Sequence, residues 1–191
     1  ASVQAMGLAR SSMSDMVRSS GVSRRTFYKV FGSKDDLLKA LIDRRVDHVA
    51  GFLGGLAASD MATADKVHAV LRAIQAVTSF VTPEMLRDLH AAHPEVWEHL
   101  DRRRTAVIRL WKDILVEGQR RGEIRQGVDP DFFVQLITVI AQNMLNPTWI
   151  GEHDVPLGKA IGQVVEILLY GALERGDRRG PRARSSREVK P

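Results

Sequence analysis

The sequence predicts an all-α protein, a small helix-turn-helix head followed by a larger helical bundle. Three observations carry this. Apolar residues recur every three or four positions across most of the chain, which is the helical period. Helix-start residues stand where such runs begin, with Ser12, Ser23, Ser33 and Asp129 as N-caps and Pro83, Pro94 and Pro130 suited to a first turn. No run alternates with period two and no hairpin dipeptide separates two alternating runs, so nothing reads as a strand.

Taken in order, a short helix covers Met13–Ser19, with Ser12 and Asp15 spaced as a capping box. Gly21 breaks it, and Ser23 caps a second short helix that runs to Phe31 and is ended by Gly32. Ser33 caps a long helix to Leu56, where Leu38, Ile42, Val46, Val49, Leu53 and Leu56 form an apolar stripe. The Gly54–Asp60 region reads as a loop. Thr63–Val81 is amphipathic through Val67, Val70, Leu71, Ile74, Val77 and Phe80. Pro83 opens a short helix to His90, and Pro94 opens one long helix to Gly122. Asp129 and Pro130 open a helix to Leu145, stopped by Pro147. The last helix spans Pro156–Leu173. Residues 1–33 thus form the head, 34–174 the bundle, and 175–191 a basic tail. The tail is rich in Arg, Gly and Ser, too poor in apolar residues to pack, and expected to be disordered.

Composition narrows the function. A chain of 191 residues, 44% hydrophobic and 27% charged, suits a soluble globular protein. The absence of cysteine excludes a disulfide framework, a thiolate nucleophile and Cys-ligated metal. No apolar run approaches the roughly 18 residues of a membrane span, and no signal-peptide pattern opens the chain. The expectation is a cytoplasmic protein with no membrane association. The net charge of +5 is unevenly spread: residues 1–34 hold six basic side chains against one acidic, residues 174–191 seven against three, and the remainder leans acidic. A basic head implies a polyanion-binding surface, nucleic acid first and a membrane surface second.

The chemistry sits in residues 12–31, SMSDMVRSSGVSRRTFYKVF. Two short helices joined by a tight glycine turn form the helix-turn-helix pattern, whose second helix enters the major groove of DNA. At 100° per residue, Ser23, Phe27, Val30 and Phe31 gather on one side, expected to pack inward. Arg25 and Lys29 point the other way, flanked by Arg24, Thr26 and Tyr28. Arginine grips guanine bidentately, threonine touches a thymine methyl, and the Tyr28 hydroxyl reaches a phosphate. Read on periodicity alone, the same face also fits an ordinary solvated helix.

Residues 7–41, GLARSSMSDMVRSSGVSRRTFYKVFGSKDDLLKAL, resemble the DNA-binding head of the tetracycline-repressor (TetR) family of bacterial transcription regulators, most specifically through GVSRRTFYKVFGSKDDLL. A second stretch, GEIRQGVDPDFFVQLI at 122–137, is similar to the junction before that family's first dimer-forming helix. The resemblance implies phosphate or base contacts from Ser12 and Ser14, base readout by Arg24, Arg25 and Thr26, and backbone or adjacent-base contacts from Tyr28 and Lys29. It also implies a phosphate contact from Lys34 beside the exposed amides of a helix start. Phe27 and Phe31 are assigned to the core. The family's head begins with a full first helix, of which Ser2–Met6 alone stands before Gly7. The chain is therefore expected to start inside that helix, with the first helix truncated.

The resemblance further implies a bundle that holds a ligand and pairs two protomers through its last two long helices. Pairing has support in the residues. Phe132, Phe133, Val134, Leu136, Ile137, Val139, Ile140, Met144 and Leu145 make one helix apolar almost all round. The final helix carries Leu157, Ile161, Val164, Val165, Leu168 and Leu169, with Gly158 and Gly162 spaced for close approach. A homodimer would set two recognition helices about one DNA turn apart on an inverted-repeat operator. Charge at Val165 or Leu169 is expected to yield monomers or insoluble protein.

Candidate ligand-binding residues are Phe80, Met85, Leu86, Leu89, His93, Trp97, Trp111, Gln142, Asn143 and Trp149, with Val77, Ile108 and Ile140 as apolar wall. Each also fits simple core packing. His90, His93, Glu95, Glu98 and His99 carry metal-ligating groups, but Pro94 interrupts them and leaves no i, i+4 His pair on one helix, so no metal is assigned. No cofactor is called for, and no phosphate loop, nucleophile elbow or HExxH points to an enzyme. Arg102, Arg103 and Arg104 read as the solvated face of a long helix. Two functions follow. The first is a repressor released from double-stranded DNA by a small, largely apolar effector. The alternative is a DNA-binding regulator whose body serves protein–protein association with no small molecule.

Overall fold

The computed structural model describes residues 11–78, 81–144, 146–152 and 157–172. These form helices α1 (Met13–Ser20), α2 (Arg24–Val30), α3 (Lys34–Ala58), α4 (Thr63–Thr78), α5 (Pro83–Ala92), α6 (Pro94–Arg109), α7 (Trp111–Arg120), α8 (Pro130–Met144), α9 (Pro147–Glu152) and α10 (Leu157–Ala172), with no strand among the described residues. Phe80, Leu145, residues 1–10 and the basic tail lie outside them. No helix among the described residues is long and apolar enough to cross a membrane.

The head is set by its caps. Ser12 Oγ accepts from Asp15 N at 3.2 Å and Asp15 Oδ2 accepts from Ser12 N at 3.2 Å, closing a reciprocal cap on α1. Gly21 at φ 69° ends that helix in the left-handed region glycine enters without a Cβ clash. Ser23 Oγ accepts from Thr26 N at 3.1 Å to start α2. Ser33 and Asp36 repeat the reciprocal cap on α3. Met16, Phe27 and Leu37, one residue from each helix, make a small separate core. Val30 departs from the helical-wheel expectation: it is 65% exposed, because α2 is under two turns long and only its Phe27 side faces α1 and α3.

In the bundle, α6 packs along α3 and α10 along α4, while α8 lies against α6, α7 and α10. The main core joins Leu53, Val70, Trp111, Leu115, Ile124, Phe133, Val165 and Leu169, among others. Four expectations need correction. Gly54–Asp60 is not a loop: α3 continues to Ala58, since burial of Leu53 and Leu56 offsets the roughly 1 kcal/mol each helical glycine costs. The Pro94–Gly122 helix is two helices, broken at Leu110, whose N–H turns back to Val107 O at 3.0 Å. No Pro or Gly marks that break; it falls between buried Ile108 and Trp111. Pro147 does not simply stop a helix but opens α9, with Asn146 Oδ1 accepting from Thr148 N at 2.9 Å. Gly32 is not a left-handed terminator; Phe31 ends α2 in extended backbone.

The far end of α3 is pinned. Lys66, 1% exposed, donates from Nζ to Ala57 O at 3.1 Å. Arg121 donates to Asp60 O and Met61 O, and Glu123 Oε2 accepts from Thr63 N at 2.7 Å. Burial raises the Glu123 carboxyl, yet the Thr63 hydrogen bonds outweigh it and leave the group below its ordinary value. The α3–α4 turn is thereby held against the end of α7.

Candidate nucleic-acid interface and ligand cavity

On the head, Arg24, Arg25, Thr26, Tyr28 and Lys29 are all exposed along α2, and Ser12 and Ser14 are exposed at the start of α1. Arg24 lies over the Tyr28 ring, 5.8 Å from its centroid, which pre-orders both side chains. Thr26 Oγ1 sits 2.8 Å from Ser23 Oγ, so its methyl is turned by the cap. Ser12 Oγ is engaged with Asp15, leaving it a second role at most. Lys34 is half-buried at the start of α3. Phe27 is buried and packs against Phe31, centroids 5.4 Å apart, as expected of core residues.

The bundle encloses an apolar cavity of about 580 Å³, the size of a drug-like ligand site. Of the expected lining residues, Met85, Leu86, Leu89, Trp97, Ile108 and Trp111 reach it. Several do not. His93 turns to α3, its Nδ1 2.6 Å from Asp35 Oδ1. Gln142 and Asn143 are exposed on α8, where Ile137 and Ala141 take the inward positions. Asn143 Nδ2 donates to Val139 O at 2.8 Å, and Gln142 Nε2 reaches towards Asp101. Ile140 and half-buried Trp149 are also off the wall, and Phe80 lies outside the described residues.

Sequence reasoning missed the contribution of α3. Leu38, Leu41, Ile42, Arg45, Val46, Val49 and Phe52 line the cavity. The stripe was visible at helical spacing, but a stripe does not say whether it meets a neighbour or a void. Arg104 also lines the cavity, with its side chain only 15% exposed and Asp101 bound to one terminal nitrogen. Burial lowers its pKa and Asp101 opposes that. The three arginines are thus not one solvated face. Arg102 is exposed, whereas Arg103 crosses to Asp43 and Asp47 on α3.

A polar seam completes the α3–α6 contact. Asp35 meets His93, Lys39 meets Glu95 at 3.0 Å, and Asp43 meets His99 at 2.8 Å as well as Arg103. Positions 35, 39, 43 and 47 recur every four residues, so one side of α3 carries the seam while the adjacent side faces the cavity. Partly exposed pairs of this kind are worth about 0–1 kcal/mol each, enough to fix register more than stability. Among the described residues, no group of three His, Asp or Glu side chains converges to hold a metal ion.

Comparison with known proteins matches these two parts. Residues 3–41 match the model of the bacterial regulatory proteins of the tetR family. Over 163 residues, 83% of this chain and 84% of the relative, the sequence is 22% identical to the uncharacterised HTH-type transcriptional regulator YvaF of Bacillus subtilis (strain 168). The fold is similar to that of the transcriptional regulator FadR of Bacillus subtilis in complex with stearoyl-CoA, with a TM-score of 0.63 and 20% identity over 88% of this chain and 92% of that one. It is also similar to the SmeT–triclosan complex of Stenotrophomonas maltophilia, with a TM-score of 0.61 and 16% identity over 91% and 87%. The head is thus similar in sequence to the tetR family of bacterial regulatory proteins, and the helical body is similar in fold to FadR and SmeT.

Proposed function

We propose that the chain is a cytoplasmic repressor that binds an inverted-repeat operator as a homodimer and leaves it when a small, largely apolar molecule fills the bundle cavity. The division of labour follows residues 1–33 for DNA, 34–174 for ligand and pairing, and 175–191 as a basic tail. The observation that carries the reading is that one helix serves both sites: α3 gives Leu37 to the head core and Leu38 to Leu53 to the cavity wall. Its far end is pinned through Lys66 and Arg121, so a displacement at mid-helix is expressed mainly at the head. FadR and SmeT, the fold relatives, hold stearoyl-CoA and triclosan, both with large apolar parts. An apolar cavity of this size favours the ligand-responsive reading over a purely associating body, which would fill its core.

Selection of genomic fragments by the full chain tests this. Selected fragments are expected to share an inverted repeat bound far more tightly than its scrambled version. Arg25→Ala should relax preference at one base pair by about 1–3 kcal/mol, while Lys34→Ala should weaken all sequences alike and lower the log–log salt slope by about one. Equal affinity for repeat and scrambled DNA would end the specific-repressor reading.

A further inference from the structure

Two guanidiniums, Arg45 of α3 and Arg104 of α6, line the otherwise apolar cavity, and no acidic side chain among the described residues lines it with them. Both come from the stretch where α3 and α6 pack together. Arg103 bridges Asp43 and Asp47, so this stretch of α3 lies beside residue 103 of α6, and Arg45 and Arg104 are the adjoining residues that reach the cavity. Asp101 holds one terminal nitrogen of Arg104, but its Nε is buried and has no hydrogen-bond partner among the described residues. A buried cationic donor without an acceptor is costly, and a planar guanidinium matches a carboxylate or phosphate edge. Apolar walls also strengthen the field of these charges inside the cavity.

We propose that the cavity takes an elongated apolar chain ending in an anionic group, with the anion at Arg45 and Arg104 and the chain along Leu38, Ile42, Val49 and Trp97. The anion is either a free carboxylate or the phosphate of a carrier thioester. This rests on the ligand-responsive reading above and adds the chemical class of the ligand.

Trp97 and Trp111 line the cavity, so tryptophan fluorescence of the full chain reports its filling. The titrants are dodecanoate, dodecanol, dodecylammonium and dodecanoyl-coenzyme A. Dodecanoate should bind about tenfold or more tighter than dodecanol or dodecylammonium, the scale of one charge-assisted hydrogen bond. Each added methylene should tighten binding about fourfold until the cavity is full. Arg104→Met, or Arg45→Met at a more exposed position that folding tolerates, should abolish the preference and keep dodecanol affinity. If the thioester outbinds the acid and weakens in both variants, the anion is the carrier's phosphate and the proposal holds. Thioester binding insensitive to both variants, equal affinity for acid and alcohol, or preference for the ammonium would each overturn it. Release from selected DNA is read separately. A carboxylate bound with this preference that leaves DNA affinity unchanged keeps the ligand class and removes the repressor mechanism.

Discussion

Gly118 and Gly54 both sit in helices, yet their surroundings give opposite signs to the same substitution. A Cβ on Gly118 would lie 2.6 Å from Ile124 Cγ1 and 2.8 Å from Thr63 Oγ1, both held in the pinned α3–α4 region. Gly118→Ala should therefore cost about 1–3 kcal/mol through overpacking. A Cβ on Gly54 meets nothing within 4 Å, so Gly54→Ala should stabilise α3 by about 0.5–1 kcal/mol. Thermal melts should separate the two, since each kcal/mol moves the midpoint by roughly 2–4 °C at this chain length. Gly158 follows the first case for another reason. The close approach expected at a dimer interface is made within the protomer, where an added Cβ would run into Thr78 Oγ1 of α4.

At the scale of elements, α5 and α6 join at His93, which touches Asp35 one residue beyond Lys34. Met85, Leu86 and Leu89 before the joint and Trp97 after it line the cavity, so this contact joins the cavity wall to the start of α3. Asp35→Asn should cut the coupling between ligand and DNA, ordinarily 5–150-fold, while leaving ligand affinity unchanged. Competition of dodecanoate with selected DNA checks it; full coupling in the variant would assign the relay to other seam pairs. The end of α7 makes a pH prediction. Arg120, and then Arg121, hold the Glu117 carboxylate at about 2 against its ordinary 4.5. A carboxyl lowered on folding stabilises above its unfolded pKa and loses that contribution as pH falls through its folded one. Stability should thus decline from pH 4.5 towards pH 2, and Glu117→Gln should flatten that part of the curve in acid titrations followed by circular dichroism.

For the whole molecule, α8 and α10 leave an apolar face uncovered in the protomer: Phe132 is 63% exposed, Val139 54%, Ile167 71% and Tyr170 44%. A patch of that kind marks an association surface, and a second copy is the partner proposed above. Val165 and Leu169, expected from the sequence to pair protomers, are 3% and 1% exposed and belong to the protomer's own core. Ile167→Asp should give soluble monomers in sedimentation equilibrium, whereas Val165→Asp should unfold the chain; a dimeric Ile167→Asp protein would place pairing elsewhere. The contrast separates two kinds of information. Local chemistry was readable from sequence: a serine three residues ahead of a carboxylate caps α1 and α3, a glycine ends α1, and an exposed basic face on α2 follows from its helical period. Helix boundaries that depend on packing were not readable. Burial of Leu53 and Leu56 carried α3 through two glycines, and the core broke α6 from α7 at Leu110 without any local signal. The roles of whole faces were likewise hidden, because an apolar stripe is identical in sequence whether it meets a neighbouring helix, a cavity or a second protomer. That choice belongs to the tertiary structure, which turned Arg104 inward, Ile167 outward and Asp35 towards His93, since only the relative placement of helices decides which polar groups lose water and which partners they find.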